Sequence, residues 1–134
     1  MNPLDIIAKY YPVGSEAYRI LVIHSRSVAD KALAIARMHP EMNLDLTFVE
    51  EAAMLHDIGI FRCNAPDIDC HGDAEYICHG YLGAELMRAE GYPRHARVCE
   101  RHTGTGITLA MIEERGLPLP HRDFMPETLE DNMI

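Results

Sequence analysis

The chain has 134 residues, 48% of them hydrophobic and 25% charged, which is the size and make-up of one globular domain with a single core. Its longest apolar runs fall well short of the roughly 20 residues needed to cross a bilayer, and the N-terminus shows no secretory pattern. No membrane partner and a cytoplasmic location are therefore expected. Twelve basic residues against twenty-one acidic ones give a formal charge of −9, which argues against a surface built to grip nucleic acid. Four dispersed cysteines, Cys63, Cys70, Cys78 and Cys99, lack any C-x-x-C pair and suit free thiols in a reducing compartment. Eight histidines are left unexplained by composition.

In chain order, Pro3 to Tyr11 predicts a short opening helix, closed by Pro12-Val13-Gly14. Ser15 is placed to cap a longer helix running to about Met38, in which Ile20, Leu21, Val28, Ala32, Ile35 and Ala36 recur at helical spacing and Pro40 blocks continuation. Thr47-Phe48-Val49-Glu50 has the form of a capping box and opens a helix expected to end near Gly59. Residues 61–77 have no clean period and read as a long loop that could serve as a lid. Helices follow over His79–Glu90 and Pro93–His102, then Thr103-Gly104-Thr105-Gly106 breaks the pattern. A short helix fits Ile107–Arg115, and Leu117-Pro118-Leu119-Pro120 must be extended. The last residues, from Pro126 to Ile134, begin a helix that stops on its apolar face. With no sustained strand alternation and no internal repeat, the class is all-α, a single domain over residues 1–134.

His24 lies four residues from both Ile20 and Val28, so it leaves its helix on the apolar stripe. His56 lies four residues after Ala52 and is followed at once by Asp57. Two inward imidazoles and an inward carboxylate are costly to bury without a shared partner, and a divalent metal satisfies all three. His79-Gly80 and His102-Thr103 place two further imidazoles at helix ends. Nitrogen and oxygen donors without thiolate suit Fe, Mn, Co, Ni or Zn, one or two ions, with Asp57 able to bridge a pair. Arg26, Arg62 and Arg101 are candidate phosphate contacts, and Thr103 begins a turn whose N–H groups could face a phosphate. Cys70, His71, Cys78 and His79 leave open a structural zinc site, although their spacing is unusual for one. His39, His95 and His121 read as surface residues.

His24, the His56-Asp57-Ile58-Gly59 string, His79-Gly80 and His102-Thr103 together resemble the HD superfamily of metal-dependent phosphohydrolases, in its HDIG branch. The layout is similar to bacterial HD hydrolases that split diadenosine tetraphosphate symmetrically. The resemblance implies a helical bundle and metal ligands at His24, His56, Asp57, His79 and His102. It also implies that Asp57, His79 and His102 take part in hydrolysing a phosphate ester or anhydride, of a nucleotide or similar small phosphorylated compound, by a metal-activated water. It further implies a late aspartate ligand. Asp123 and Asp131 are the only later ones, neither in the family's context, so the expectation is that the last helix of the bundle is missing. Ile60 stands where many members have lysine. A non-catalytic regulatory HD domain that binds a metal or nucleotide is the competing expectation.

Overall fold

The computed structural model describes residues 1–102 and 106–134. Among these residues seven α-helices carry the fold: α1 (Pro3–Tyr10), α2 (Glu16–Met38), α3 (Leu46–Leu55), α4 (His79–Ala89), α5 (Pro93–Arg101), α6 (Leu109–Arg115) and α7 (Leu129–Met133). The all-α class holds among the described residues. The one sheet among the described residues is a hairpin of two-residue strands, β1 (Asn64–Ala65) and β2 (Cys70–His71), paired antiparallel with Ala65 opposite Cys70. No described helix is long and apolar enough to cross a membrane.

The helix starts follow local chemistry. Asn2 accepts from Leu4 N ahead of α1, and Ser15 from Tyr18 N ahead of α2. The expected capping box at Thr47 is not the one used. Asp45 caps α3 by accepting from Phe48 N, so the helix starts earlier, and it ends at Leu55 because Ile58–Arg62 tightens into a 3₁₀ turn. A capping box does occur at α7, where Thr128 and Asp131 satisfy each other's backbone N–H groups.

The main core joins α1, the α2 stripe, α3, the 3₁₀ turn and the facing sides of α4 and α5 around Ile7, Tyr11, Ala29, Leu55, Ile58 and Met87. Helices α4 and α5 form one closely packed pair, and α2 with α3 form another. A smaller core gathers Cys78, Ile107, Ile112, Leu119 and Phe124 under the segment after α5. Two glycines draw the layers together. A Cβ on Gly59 would stand 2.2 Å from the His79 carbonyl and 2.4 Å from Gly83 N, and one on Gly80 would stand 2.6 Å from the Cys99 carbonyl. The HDIG turn can thus lie directly on α4, and α4 directly on α5, only without side chains at these positions.

Candidate metal centre

The close contacts at Gly59 and Gly80 bring three helix ends to one place. His56 is the C-cap residue of α3 with Asp57 beside it, His79 opens α4, and His102 is the C-cap of α5, while His24 reaches in from the middle of α2. At a helix C-terminus the last carbonyls have no intrahelical partner. His56 uses this by donating from Nδ1 to the Ala53 carbonyl at 2.5 Å, and His102 by donating to the Cys99 carbonyl at 2.6 Å. His79 donates from Nδ1 to the Tyr76 carbonyl at 2.7 Å, and the Tyr76 ring stacks on its imidazole.

A carbonyl only accepts, so each of these three Nδ1 atoms carries the proton and each Nε2 of the neutral ring is left with a lone pair. Those lone pairs converge. His24 Nε2 and His56 Nε2 each lie 3.1 Å from Asp57 Oδ2, and His79 Nε2 and His102 Nε2 lie 3.3 and 3.0 Å from Asp57 Oδ1. His79 and His102 face each other nitrogen to nitrogen at 3.1 Å. Two three-donor groups result, His24/His56/Asp57 and Asp57/His79/His102, sharing the carboxylate.

Such a set is rich in acceptors and short of hydrogen-bond donors. Burial alone pushes the Asp57 carboxyl up, but the hydrogen bonds that His102, His56 and His79 donate when protonated at Nε2, with the charge His56 then carries, hold it well below the ordinary carboxylate range. Burial pulls His56 down, and the Asp57 hydrogen bond and charge outweigh that and leave it raised. The protein alone can quiet the cluster only by protonating imidazoles. A divalent cation satisfies the same lone pairs without them, and the nitrogen and oxygen donors fit such an ion in each group.

The expected phosphate contacts lie elsewhere. Arg26 pairs with Asp30 and Glu50, Arg62 lies over the Phe61 ring, and Arg101 is held by the Met125 carbonyl and Glu127. None of the three lines the cavities next to the cluster. Thr103 falls outside the described residues. His71 is exposed and bonded to Asp69, and it belongs to no metal-holding group among the described residues, so the cysteine-histidine zinc site is not formed. Asp123 accepts from Leu109 N and Asp131 caps α7, which leaves neither at the cluster.

His95 is a correction of another kind: it is buried, bonded to Glu51 at 2.9 Å, and set between the Phe48 and Tyr92 rings. The signal was its place four residues before Cys99 and seven before His102, on the inward stripe of α5. His39 and His121 are exposed, as expected of surface residues.

The HD domain family model matches residues 21–131, the span that carries all five cluster residues. The chain belongs to the HD-domain family. It is 33% identical over 132 residues to a protein of Thermoplasma volcanium named tRNA (cytidine(56)-2'-O)-methyltransferase, covering 98% of this chain and 33% of that protein. It is 36% identical over 117 residues to an uncharacterised protein of Methanocaldococcus jannaschii, covering 85% of this chain and 62% of that one. A Picrophilus torridus protein, also named tRNA (cytidine(56)-2'-O)-methyltransferase, is 32% identical over 116 residues, covering 86% of this chain and 29% of that protein. The chain therefore spans about a third of the two named relatives and under two thirds of the uncharacterised one. No solved structure matches it significantly. These matches carry the family, and not the narrower resemblance to diadenosine tetraphosphate hydrolases. Two relatives are named for a reaction on tRNA, so net charge alone does not support excluding nucleic acid.

Proposed function

We propose that the chain is a metal-dependent phosphohydrolase that cleaves a phosphate ester or anhydride of a nucleotide or similar small phosphorylated compound. The observation that carries this reading is the convergence of four imidazole nitrogens on both oxygens of one buried carboxylate, three of the rings having their other nitrogen already committed to a backbone carbonyl. A divalent ion held there supplies the positive charge that lowers the pKa of a water and draws in phosphoryl oxygens.

The chain's own part is positioning. Asp57 turns one oxygen toward each three-donor group, and a divalent cation would be held there by Asp57 with His24 and His56 or with His79 and His102. The carbonyl bonds lock the buried rings against rotation, so the donor atoms need no reorganisation when a ligand arrives. An open cavity of about 510 Å³, bordered by His24, His56, Asp57, His79 and His102, gives a small phosphate compound access to the cluster. Among the described residues no arginine or lysine lines it, so phosphate charge would be balanced at the cluster itself.

A second reading is a regulatory domain that binds metal without turnover. It is favoured by the limit of three donors in each group among the described residues, and by the relatives in which the matched region is a third or less of a protein named for another reaction. The test is hydrolysis of phosphomonoesters, nucleoside phosphates and dinucleoside polyphosphates with Mn, Fe, Co, Ni or Zn, alongside thermal unfolding with each ion. Metal-dependent phosphate release supports the first reading. Metal-dependent stabilisation without release from any compound supports the second. Absence of both would remove the metal centre.

A further inference from the structure

A second cavity, of about 240 Å³, opens beside the cluster and shares His24, Asp57 and Tyr76 with the first. Its remaining wall is apolar: Ala17, Ile20 and Leu21 from α2, Ile60 from the 3₁₀ turn, and Ile68 from the hairpin segment. Tyr11 also faces it, but the Tyr11 hydroxyl is spent, donating to the Ile58 carbonyl at 2.8 Å and accepting from Phe61 N at 3.0 Å. Cys70 likewise turns its Sγ to the Ile68 carbonyl. Beyond the two cluster residues at its mouth, the cavity offers a ligand no charge and little hydrogen bonding.

Resting on the phosphohydrolase reading, we infer that this cavity is the subsite for the organic group of the substrate, and that the substrate is a phosphomonoester of an uncharged, apolar-faced group such as a single ring or a short branched chain. Three observations lead there. The shared residues make the cavity continuous with the cluster, so a phosphate drawn to a cation held by the cluster would direct its substituent past Tyr76 into the apolar wall. The volume lies below the roughly 300–1,000 Å³ of pockets that enclose drug-sized ligands, which limits the substituent to about one ring. Among the described residues no lysine or arginine lines either cavity, so a polyphosphate chain leaving the cluster in this direction would meet no countercharge from them. Tyr76, half exposed and stacked on His79, stands between the two cavities with a ring face for the substituent.

The experiment is calorimetric titration of the full chain with phenylphosphonate and with methylphosphonate, two non-hydrolysable ligands that differ only in the organic group, with and without Mn²⁺. Burying a phenyl ring in this wall should make phenylphosphonate bind about tenfold more tightly than methylphosphonate. Ala17→Trp, which fills the cavity, and Ile68→Asp, which puts a charge on its partly exposed rim, should each bring that ratio to within about twofold of unity and leave methylphosphonate binding near its original strength. Equal affinities in the unaltered chain, or a phenyl preference that survives both substitutions, would overturn the inference. Equal affinities that still require Mn²⁺ would sink the subsite and leave the phosphohydrolase reading standing. A cavity-dependent phenyl preference indifferent to Mn²⁺ would support the subsite and count against that reading.

Discussion

Asp57 and Glu100 are both buried carboxylates, 6% and 3% exposed, yet their surroundings differ in kind. Glu100 receives Arg88 at 2.8 Å and Arg122 at 2.9 Å, two guanidinium groups that stay charged at any ordinary pH. Its site is closed by the chain itself. Asp57 receives only imidazole nitrogens, three of them with the lone pair turned inward, and none brings an obligatory charge. Two carboxylates of similar burial thus separate into a structural ion cluster and a centre whose donors could hold a cation from outside. The difference lies in whether the partners donate or accept.

The largest expected effect comes from breaking the open centre. Asp57→Asn removes the shared charge, and metal-dependent hydrolysis should fall by about three orders of magnitude, equivalent to about 4 kcal/mol of barrier. The same variant should lose the metal-induced rise in thermal stability, which for an ion at 100 times its Kd is about 2.7 kcal/mol in the parent. Initial rates and melting curves with and without Mn²⁺ read both; an unchanged melting shift would refute the role given to Asp57.

Breaking the closed cluster should do the opposite. Glu100→Gln leaves two guanidinium groups without their carboxylate, but these are 37% and 41% exposed and can turn to water. The cost should therefore be about 2–3 kcal/mol, at or below the low end for a broken buried pair. Chemical denaturation measures it, and the stabilisation by Mn²⁺ should persist. Burial pushes Glu100 up, while Arg122 and Arg88 pull it below its ordinary 4.5 and prevail. A carboxyl lowered on folding adds stability that is fully present above 4.5 and is lost as pH falls through the folded value. The gap between parent and Glu100→Gln should accordingly be constant near neutrality and shrink below about pH 4.5. A gap that widens in acid would reverse the assignment.

A smaller effect is expected at Tyr11, whose hydroxyl ties the HDIG turn to the end of α1 through Ile58 and Phe61. Tyr11→Phe removes both bonds, one of them buried, and should cost about 1 kcal/mol, read by denaturation. The smallest belongs to the exposed His121, where replacement by alanine should change stability by less than about 0.5 kcal/mol and leave metal binding untouched.

These contrasts mark how far local sequence reaches. The α2 stripe placed His24, the end of α3 placed His56 and Asp57, and the breaks around α4 and α5 placed His79 and His102, because periodicity, caps and breakers act over one or two turns. The start of α3 departs from the Thr47 pattern because two capping patterns overlap and Asp45 takes the bond. His95 is buried where local sequence suggests a surface residue because its companions, Phe48 and Glu51, come from another helix. Arg26, Arg62 and Arg101 sit close in sequence to cluster residues or the hairpin, but a flexible cation pairs with whatever carboxylate, carbonyl or ring the fold brings nearest.

The sequence by itself determined a helical domain, where its helices lie, and that four histidines and an aspartate stand at places able to meet. Only the tertiary structure decided which nitrogen of each buried ring faces the centre, since that depends on carbonyls freed at helix ends. It also decided that the surplus histidine would divide into a cluster around Asp57, a buried partner for Glu51 and exposed surface residues. Distances between elements arise from packing at Gly59 and Gly80, and no local pattern encodes them.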